Sequence, residues 1–415
     1  MIDSKLLRLN FASLKERVLS KDPSYPVDLL KELHDNYSKS NFYLEGLLYK
    51  LNSLSDQVKK FGMTMDLKEE TLSLKKEIER SKIITDGLYL RFNDLILRCP
   101  NIPDDSLPIG DKSNNVVIKE FGKKPAKSIM LNHVGLLEKD NSNIFEKGSC
   151  VSGSGFLFYD SYLTKLIYDL CAIFITHNES YGFTPILPPY LLSKKVLTNS
   201  GNFPKFVDDV YKVESEDLYL LPTAEVAISS YHANSILKKE ILPLRYCSWT
   251  DCFRREAGGY GAQERGLIRI HQFHKVEIFS FCLPEKSKEE HEYMLDCAES
   301  LLKKFDIHYR VSLLATQDSS FSASKTYDIE VWLPGQKEYK EVSSVSLCTD
   351  FQARRGNIRY KDSSLNKNRF VHMLNASSLA VPRLMVALLE TYQNDKGRID
   401  YGKISNLISN IKSKY

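Results

Sequence analysis

Two long runs of apolar residues at a spacing of three or four dominate the first hundred residues. The first run has one polar member in nine and comprises Leu30, Leu33, Tyr37, Ser40, Leu44, Leu47, Leu51, Leu54 and Val58. The second has three polar members in nine and comprises Leu67, Thr71, Leu74, Ile78, Ser81, Thr85, Leu88, Phe92 and Leu95. Apolar seams of this length are typical of coiled coils. Each run predicts one helix, about 45 Å long at 1.5 Å per residue.

The segment between the two runs predicts that the chain folds back on itself. Lys59-Lys60-Phe61-Gly62 is short and ends in glycine, as in turns that join antiparallel helices. The alternative is two helices of an ordinary bundle, and we favour the hairpin. Pro100 and Pro103 end the second helix. We therefore expect an N-terminal domain over residues 1–100.

The remainder of the chain has a mixed pattern that predicts an α+β domain. The Ser/Asn/Lys-rich stretch Asp111–Lys127 is typical of a connection, so we expect a linker region at 101–155 and a larger domain at 156–415. Short strand-like runs and separate helical runs predict a mostly antiparallel sheet with flanking helices. The strand-like runs are Tyr246–Phe253, Leu267–Phe281 and Thr326–Leu333, and the helical runs are Tyr162–His177 and Pro382–Tyr392.

Charge and composition exclude several classes of protein. Lys and Arg number 57 against 53 Asp and Glu, a net charge of +4, which excludes a polybasic histone-like binder. Between Pro26 and Pro100 we count 12 basic and 12 acidic residues, so nucleic acid would have to meet one face of the hairpin. The candidate basic residues for such a face are Lys39, Lys50, Lys75, Lys76 and Lys82.

The sequence patterns typical of a membrane span and of a disulfide framework are weak. The most apolar stretch, Leu163–Thr176, is interrupted by Lys165 and Asp169, so we expect no membrane span. Eight cysteines occur without any CxxC pair, which predicts thiols in a reducing compartment and hence a cytoplasmic location. Neither a P-loop nor a strand–GxGxxG–helix unit is present.

The densest chemical cluster is an arginine-rich loop between two strand-like runs. It begins Phe253-Arg254-Arg255-Glu256-Ala257-Gly258-Gly259 and continues through Arg269 to Phe273. The planar guanidinium group of arginine matches phosphate or carboxylate bidentately. An aromatic ring on the returning strand could stack on a purine. Taken alone, the loop is as compatible with a solvated surface hairpin as with a nucleotide site.

This cluster closely resembles motif 2 of the class II aminoacyl-tRNA synthetases in its seryl-tRNA synthetase form, here at 253–273. The resemblance extends over essentially the whole chain, and the expected hairpin lies where the bacterial-type family carries its tRNA-binding coiled-coil arm. The other matching segments are Gly182–Pro189 (motif 1), Leu221–Val226 (amino-acid recognition), Lys275–Glu277, Phe321–Trp332, Glu341–Arg355 and 375–390 (motif 3, with Asn375–Arg383 its matching core).

The resemblance implies a serine–tRNA ligase. Such an enzyme activates L-serine with ATP, giving seryl-adenylate and diphosphate, and transfers the seryl group to the 3′ end of tRNA-Ser. It implies a homodimer formed through motif 1 and a requirement for Mg²⁺. A catalytically silent paralogue that binds tRNA or a protein is one alternative. A ligase that loads a carrier protein is another, disfavoured because the arm would then have no evident use.

The resemblance also implies roles for individual residues. Arg254 would contact the α-phosphate and the substrate carboxylate, and Arg383 the γ-phosphate. Glu256 would read the adenine amino group, Phe273 would stack on the ring, and Ser343 belongs to the same ATP-binding set. Glu341 and Ser344 match the Mg²⁺ contacts as well as ATP contacts. The residues matching serine-binding positions are Thr223, Glu225, Arg254, Glu277, Asn375 and Ser377.

Motif 3 departs from the family pattern at three positions. Ala376, Ser378 and Pro382 stand where glycines are usual. We expect Pro382 to be harmless in the first turn of the final helix, where its missing N–H is not needed. Ser378 is expected to narrow the amino-acid pocket. Because the charged residues are all present, we interpret these changes as drift with activity retained.

Overall fold

The computed structural model describes residues 1–125, 130–256 and 266–415. The glycine-rich part of the motif 2 loop (257–265) and the end of the polar stretch at 126–129 lie outside the described residues. Contacts divide the chain into two units, Ile2–Pro100 and Asn101–Tyr415 together with Met1. In the described parts of both units, no helix is at once long enough and apolar enough to span a membrane.

The first unit is helical. Its helices are α1 (Leu6–Leu9), α2 (Phe11–Lys21), α3 (Val27–Phe61) and α4 (Met65–Leu97). α3 ends at Gly62, whose φ of +81° is a conformation that favours glycine. Thr64 then caps α4, its hydroxyl accepting a hydrogen bond from the Leu67 N–H at 3.3 Å. The predicted turn is thus confirmed.

The seam between α3 and α4 follows the predicted apolar spacing. Leu47 and Leu54 on α3 pack with Leu74 on α4. Outward side chains such as Phe42 and Tyr49 are 79% and 76% exposed. A hairpin of two helices, not a bundle, therefore forms this stretch. A hydroxyl pair lies in its mostly apolar seam.

That pair consists of Ser40 and Thr85, whose hydroxyl oxygens lie 2.7 Å apart across the seam. Thr85, only 3% exposed, also donates to the carbonyl of Ser81 one turn earlier. The seam is therefore hydrogen-bonded at this level.

The second unit is built on an eight-stranded sheet in the order β1-β8-β9-β10-β13-β7-β6-β2. All neighbouring pairs are antiparallel except β2 with β6. The predicted α+β class is confirmed. The strands are β1 (Val116–Phe121), β2 (Thr184–Pro185), β3 (Leu191–Ser193), β4 (Leu218–Leu220), β5 (Ile236–Lys238), β6 (Leu244–Phe253), β7 (Gln272–Cys282), β8 (Tyr309–Leu313), β9 (Lys325–Leu333), β10 (Glu338–Thr349), β11 (Arg359–Asp362), β12 (Lys367–Phe370) and β13 (His372–Ala380).

Helices flank this sheet, and apolar side chains of α5, α6, α7, α10, α12 and α13 are buried in the main core of the unit. The helices of the second unit are α5 (His133–Lys139), α6 (Ile144–Ser152), α7 (Ser161–Ser180), α8 (Lys194–Ser200), α9 (Ala224–Ile228), α10 (Ser287–Lys303), α11 (Phe351–Gly356), α12 (Val381–Thr391) and α13 (Tyr401–Lys412). α12 matches the predicted Pro382–Tyr392 helix closely, but α13 follows it.

The expected linker region at 101–155 belongs to the second unit. β1 pairs with β8 at one edge of the sheet, and Leu136 of α5 and Ile144 of α6 are fully buried in its core. Although residues around Asn115 are polar, its side chain accepts from the N–H of Ala315 at 2.8 Å and so fixes the segment. The described residues of this range therefore form an edge and part of the core of the second unit, and the linker interpretation is wrong for them.

The predicted strand Leu267–Phe281 begins later than expected, at Gln272. Leu267, Ile268 and Ile270 are buried, which explains their apolar character, but they lie outside the strand. Gly266 has a φ of +77°, and the N–H of Leu267 donates to a histidine side chain instead of a neighbouring strand. These three residues are apolar because they are buried, and their apolar character resembled the pattern of a strand to which they do not belong.

Candidate active site

The sequence-predicted residues converge where the central strands β6, β7, β10 and β13 meet helices α9 and α12. In the register of the sheet, Ser377 lies opposite Glu277, and Asn375 lies opposite Ser346. Thr223 caps the N-terminus of α9, and Arg383 lies in the first turn of α12. Residues from six separate segments are thus brought together in one part of the unit.

Thr223 and Glu277 form the floor of a polar pocket. The Thr223 hydroxyl donates to Oε2 of Glu277 at 3.3 Å and accepts from the ammonium group of Lys275 at 2.8 Å. Nζ of Lys275 lies 2.5 Å from the same carboxylate oxygen. Glu277 and Lys275 are 1% and 7% exposed, so this is a buried ion pair. Buried charges of this kind are stable only when paired and hydrogen-bonded.

Glu225 is the second carboxylate of the pocket. It accepts hydrogen bonds from the amides of Gln352 at 2.8 Å and Asn375 at 3.2 Å. Burial raises the pKa of Glu225 to about 7, with a further contribution from the negative charge of Glu277, while Lys275 acts in the opposite direction. A perturbed carboxyl group in a cleft is a candidate binding group.

Arg254 and Phe273 form the adjoining part of the cleft. The guanidinium carbon of Arg254 lies 5.3 Å from the centre of the Phe273 ring, and its Nε donates to the carbonyl of Pro222 at 3.2 Å. The backbone N–H of Arg254 donates to the carbonyl of His271, which holds the two ends of the loop together. The rest of its guanidinium group faces the cleft that it lines with Arg383.

Glu256 lines the same cleft and pairs with Arg269, with Oε2 and a guanidinium nitrogen 2.5 Å apart. Glu256 has a φ of +52°, an uncommon conformation for a residue with a side chain. The two residues flank the segment 257–265, so they pair across the base of the motif 2 loop.

Arg383 joins three elements. Its guanidinium group donates to the carbonyl and to the carboxylate of Glu341 on β10, at 2.9 and 3.3 Å, and to the carbonyl of Ile268 at 3.4 Å. It borders both the cleft with Arg254 and a more acidic cleft next to it. Two arginines therefore line one cavity, an arrangement that suits a polyphosphate.

The acidic cleft contains Glu341 and Ser344 together with Asp328. Oδ1 of Asp328 is buried and has no hydrogen-bond partner among the described residues. Burial, followed by the charge of Glu341, raises the pKa of Asp328 well above its ordinary value. No cluster of three or more His, Cys, Asp or Glu side chains in the described ranges could hold a metal ion by itself. Mg²⁺ commonly uses one or two carboxylates plus substrate phosphates, so these oxygen donors fit that ion.

Two residues occupy different surroundings from those expected. Ser378 is fully buried, and its hydroxyl donates to the Asn178 side chain of α7 at 2.8 Å. It points into the core, so the expectation that it narrows the amino-acid pocket is wrong. Ser343 is also fully buried and donates to the carbonyl of Ser377 at 2.6 Å, so its side chain links β10 to β13.

Sequence reasoning did not assign roles to Lys275 and Gln352. Lys275 is two residues from Glu277, and that alternation on a strand places both side chains on one face. Gln352 is fully buried and joins Glu225 to the carbonyl of Ser200 on α8. Its contact depends on tertiary structure, and no local pattern indicates it. Pro382 lies in the first turn of α12, as expected.

Comparisons with known proteins follow the same division of the chain. Residues 1–103 match the family model of the seryl-tRNA synthetase N-terminal domain. Residues 211–392 match the model of the tRNA synthetase class II core domain (G, H, P, S and T). The two matches confirm the resemblance seen in the motifs.

Individual relatives agree over almost the whole length. The serine–tRNA ligase of Chlamydia felis is 41% identical over 407 residues, 96% of this chain and 95% of that protein. That of Ureaplasma parvum is 41% identical over 412 residues, 97% and 99% of the two chains. The crystal structure of seryl-tRNA synthetase from Pyrococcus horikoshii complexed with ATP has a TM-score of 0.90 and 34% identity, covering 99% and 98%. With this identity over nearly its full length, the chain belongs to the seryl-tRNA synthetase family.

Proposed function

We propose that this chain activates L-serine with ATP and transfers the seryl group to the 3′ end of tRNA-Ser. The observation that carries the proposal is the junction of two subsites. A buried polar pocket built from Thr223, Glu225 and Glu277 adjoins, through Lys275, a cleft flanked by Arg254 and Arg383. Their arrangement supplies partners for an amino acid on one side and for a nucleotide triphosphate on the other.

The polar pocket has the chemistry to recognise serine. Its carboxylates pair with an α-ammonium group, and acceptors at Thr223 and Glu277 can satisfy a small hydroxyl. Asn375 and Ser377 complete the proposed contacts from β13. A site that hydrogen-bonds a substrate hydroxyl rejects the analogue lacking it, because its buried polar groups are then unpaired. Alanine is therefore rejected because it would leave these hydrogen-bonding groups unpaired.

In the first step the serine carboxylate attacks the α-phosphorus and diphosphate leaves. The oxygen–phosphorus bond forms as the bond to the bridging oxygen of diphosphate breaks, giving seryl-adenylate. Arg254 stabilises the charge on the α-phosphate, and Arg383 holds the γ-phosphate of the leaving group. Catalysis then consists of positioning and charge stabilisation, with no covalent intermediate on the protein.

In the second step the terminal ribose hydroxyl of tRNA attacks the seryl carbonyl and AMP leaves. We assign Glu256 to the adenine amino group and Phe273 to stacking on the ring. Glu341 and Ser344 would hold Mg²⁺ beside the phosphates, and the ion would supply additional charge neutralisation there. Ser343 is placed to hold β10 against β13, so a nucleotide contact from it would involve its backbone.

We extend the proposal to the partners of the enzyme. The hairpin of α3 and α4 would bind tRNA-Ser, with Lys39, Lys50, Lys75, Lys76 and Lys82 exposed on its surface. Motif 1, at 182–189, would form the interface of a homodimer. The cysteines remain thiols, which fits a cytoplasmic enzyme.

The experiment that tests the proposal is ATP–pyrophosphate exchange on the purified chain. Serine should stimulate exchange, while alanine and threonine should not. Arg254→Ala should reduce exchange by about 100-fold or more, since it removes charge stabilisation at the reacting phosphate. Stimulation by threonine instead of serine would overturn the assigned specificity, and exchange by Arg254→Ala at the wild-type rate would overturn its role.

A further inference from the structure

His133 is buried close to the active site but contacts neither subsite directly. It begins α5, is 1% exposed, and lies in a segment expected from the sequence to be a linker. Its Nε2 accepts the backbone N–H of Leu267 at 3.1 Å. Leu267 is the second described residue after the motif 2 loop, so His133 holds the point at which the chain returns from that loop.

The other side of the His133 ring contacts α12. Its Nδ1 lies 3.1 Å from Oε1 of Glu390, a residue that is fully buried. The same carboxylate accepts the backbone N–H groups of His133 and Gly335, both at 2.9 Å, and the amide of Gln336 at 2.9 Å. Four donors satisfy this buried carboxylate, which makes it a rigid anchor.

The hydrogen bonds assign the tautomer of His133. A backbone N–H can only donate, so Nε2 must be the acceptor towards Leu267. The ring proton is then on Nδ1 and is donated to Glu390. The neutral imidazole therefore links Leu267 to Glu390 in one defined orientation, which an imidazolium could not reproduce because it has no acceptor.

Gly266 shows how closely the chain approaches this ring. A Cβ atom at Gly266 would lie 2.1 Å from Nε2 of His133, and its φ is +77°. Both facts require glycine at this position. The segment that follows has no room to shift towards α5 and is held from the other side by the hydrogen bond to Leu267.

That segment forms one wall of the nucleotide cleft. Leu267, Ile268, Arg269 and Ile270 all line the cavity shared with Arg254 and Arg383. Arg269 pairs with Glu256, and the carbonyl of Ile268 accepts from Arg383. Arg383 and Glu390 lie seven residues apart on the same helix, two turns from each other. His133 thus connects Glu390 on α12 to Leu267 in the wall of the cleft. The same wall is bonded to Arg383 on α12 through the carbonyl of Ile268.

We propose that His133 is a positioning residue for ATP, joining the segment after the motif 2 loop to the motif 3 helix so that Glu256, Arg269 and Arg383 meet one nucleotide. This inference rests on the proposed function and adds a residue that makes no substrate contact. Loss of the link would loosen the nucleotide wall and leave the serine pocket, built on α9 and β7, in place.

The test compares His133→Ala and His133→Gln with the wild-type chain. We expect His133→Ala to raise KM for ATP in serine-dependent exchange by about tenfold, because it leaves the Leu267 N–H unpaired and removes one of the four donors to the Glu390 carboxylate. KM for serine should change less than twofold. His133→Gln offers an acceptor and a donor at a similar separation, so it should restore most of the affinity for ATP.

The matched control is His177→Ala. His177 is also buried, at 2% exposed, and contacts the hydroxyl of Tyr415 and the carbonyl of Cys297, away from the nucleotide cleft. It should lower the midpoint of thermal unfolding without altering KM for ATP. If His133→Ala behaves like His177→Ala, with KM for ATP unchanged, the inference is wrong.

A second measurement separates this inference from the proposed function. ATP binding to each variant is measured by titration calorimetry in the absence of serine, and His133→Leu, which keeps most of the volume but neither ring nitrogen, replaces His133→Ala if that variant does not fold. Weaker ATP binding in the alanine variant, restored by glutamine, supports the inference even where exchange is not measured. Wild-type exchange that does not respond to serine would contradict the function instead, and equal ATP affinity in all folded variants would contradict the inference.

Discussion

Lys275 and Glu277 form a buried ion pair on one face of β7, with Nζ 2.5 Å from Oε2, at the floor of the proposed serine pocket. The lysine ammonium occupies a place next to Thr223 and the carboxylates that the α-ammonium group of serine would also seek. Without substrate, Lys275 therefore compensates the negative charge of the pocket.

Replacing Lys275 by methionine should weaken serine binding in a pH-dependent way. Lys275 lowers the pKa of Glu225, which is already raised to about 7, so its loss raises that pKa further. At pH 7 the carboxyl would then be largely protonated and would bind an ammonium group poorly. We expect KM for serine to rise by about tenfold at pH 7 and to recover partly at pH 8.5. KM from exchange kinetics at both pH values measures this.

The groups facing Glu225 in that experiment are Glu277, Lys275 and Arg254, and the neutral amides of Gln352 and Asn375. Lys275→Arg keeps the positive charge and serves as the control, with a pH profile close to that of the wild type. A methionine variant whose KM for serine has the wild-type pH profile would show that Lys275 does not influence the ionisation of the pocket.

Glu225→Gln should stabilise the folded chain at pH 8 while it weakens serine activation. The folded-state pKa of Glu225 is raised to about 7 from an ordinary 4.5. The protonated Glu225 carboxyl therefore contributes its full stabilisation to the folded wild-type chain below pH 4.5. That stabilisation is lost as the pH rises through about 7, because the folded state must then hold a desolvated charge. We expect the variant to be more stable by about 2 kcal/mol at pH 8. Near pH 5 the difference should largely vanish.

Urea unfolding at the two pH values measures this difference. Glutamine retains the acceptor for Gln352 and Asn375, so lost hydrogen bonds do not obscure the comparison. Equal gains in stability at pH 5 and pH 8 would mean that the effect has no connection with ionisation of Glu225.

Asp328→Asn should raise the Mg²⁺ concentration that supports half-maximal exchange. Its buried, unpartnered Oδ1 beside Glu341 and Ser344 adds a third oxygen to the cleft, and an amide is a weaker ligand than a carboxylate. We expect a shift of about tenfold, since perturbing groups around a metal site commonly changes affinity by 10- to 100-fold. Exchange is measured over a Mg²⁺ series at saturating ATP. A variant with the wild-type Mg²⁺ dependence would exclude Asp328 from the ion's surroundings.

Shortening the hairpin should separate the two steps of the reaction. Replacing Leu47–Ile78 by a short glycine-containing turn removes the outer part of α3 and α4 and leaves the second unit intact. Adenylate formation should be unchanged, whereas charging of tRNA should fall by on the order of 100-fold through lost phosphate contacts. A double variant with Lys75 and Lys76 changed to alanine should weaken charging and reduce its salt dependence. Full charging by the shortened chain would contradict the role of the arm.

The arrangement of the helices was predictable where one apolar spacing persisted over many residues. The seams of α3 and α4 extend over most of two helices, so the hairpin and its turn at Gly62 followed from spacing alone. The β7 boundary did not, because Leu267 and Ile270 are buried by packing without belonging to a strand. Apolar residues indicate burial, whereas strand pairing depends on which acceptors the backbone N–H groups bind.

The site was predictable mainly through motifs, whereas its supporting contacts were not. Glu225 and Arg254 were assigned by resemblance, but the link between Leu267 and Glu390 joins segments that are distant in the sequence through His133. Ser378 shows the opposite error, since its hydroxyl faces Asn178 in the core. Side-chain direction at a strand end depends on the local backbone, which a single sequence does not specify.

The hydroxyl pair Ser40–Thr85 has a consequence for the geometry of the hairpin. Sliding α3 past α4 by one heptad would keep most leucines in contact but would separate the two hydroxyls, and Thr85 would keep only its bond to the Ser81 carbonyl. The lost hydrogen bond is worth about 0.5–1.5 kcal/mol, which favours one alignment. The 35 residues of α3 then place the turn at Gly62 a constant distance, about 50 Å, from the start of the helix. The length of α3 sets this distance, and the hydroxyl pair favours one alignment of the two helices, which the interchangeable leucines of the seam do not distinguish.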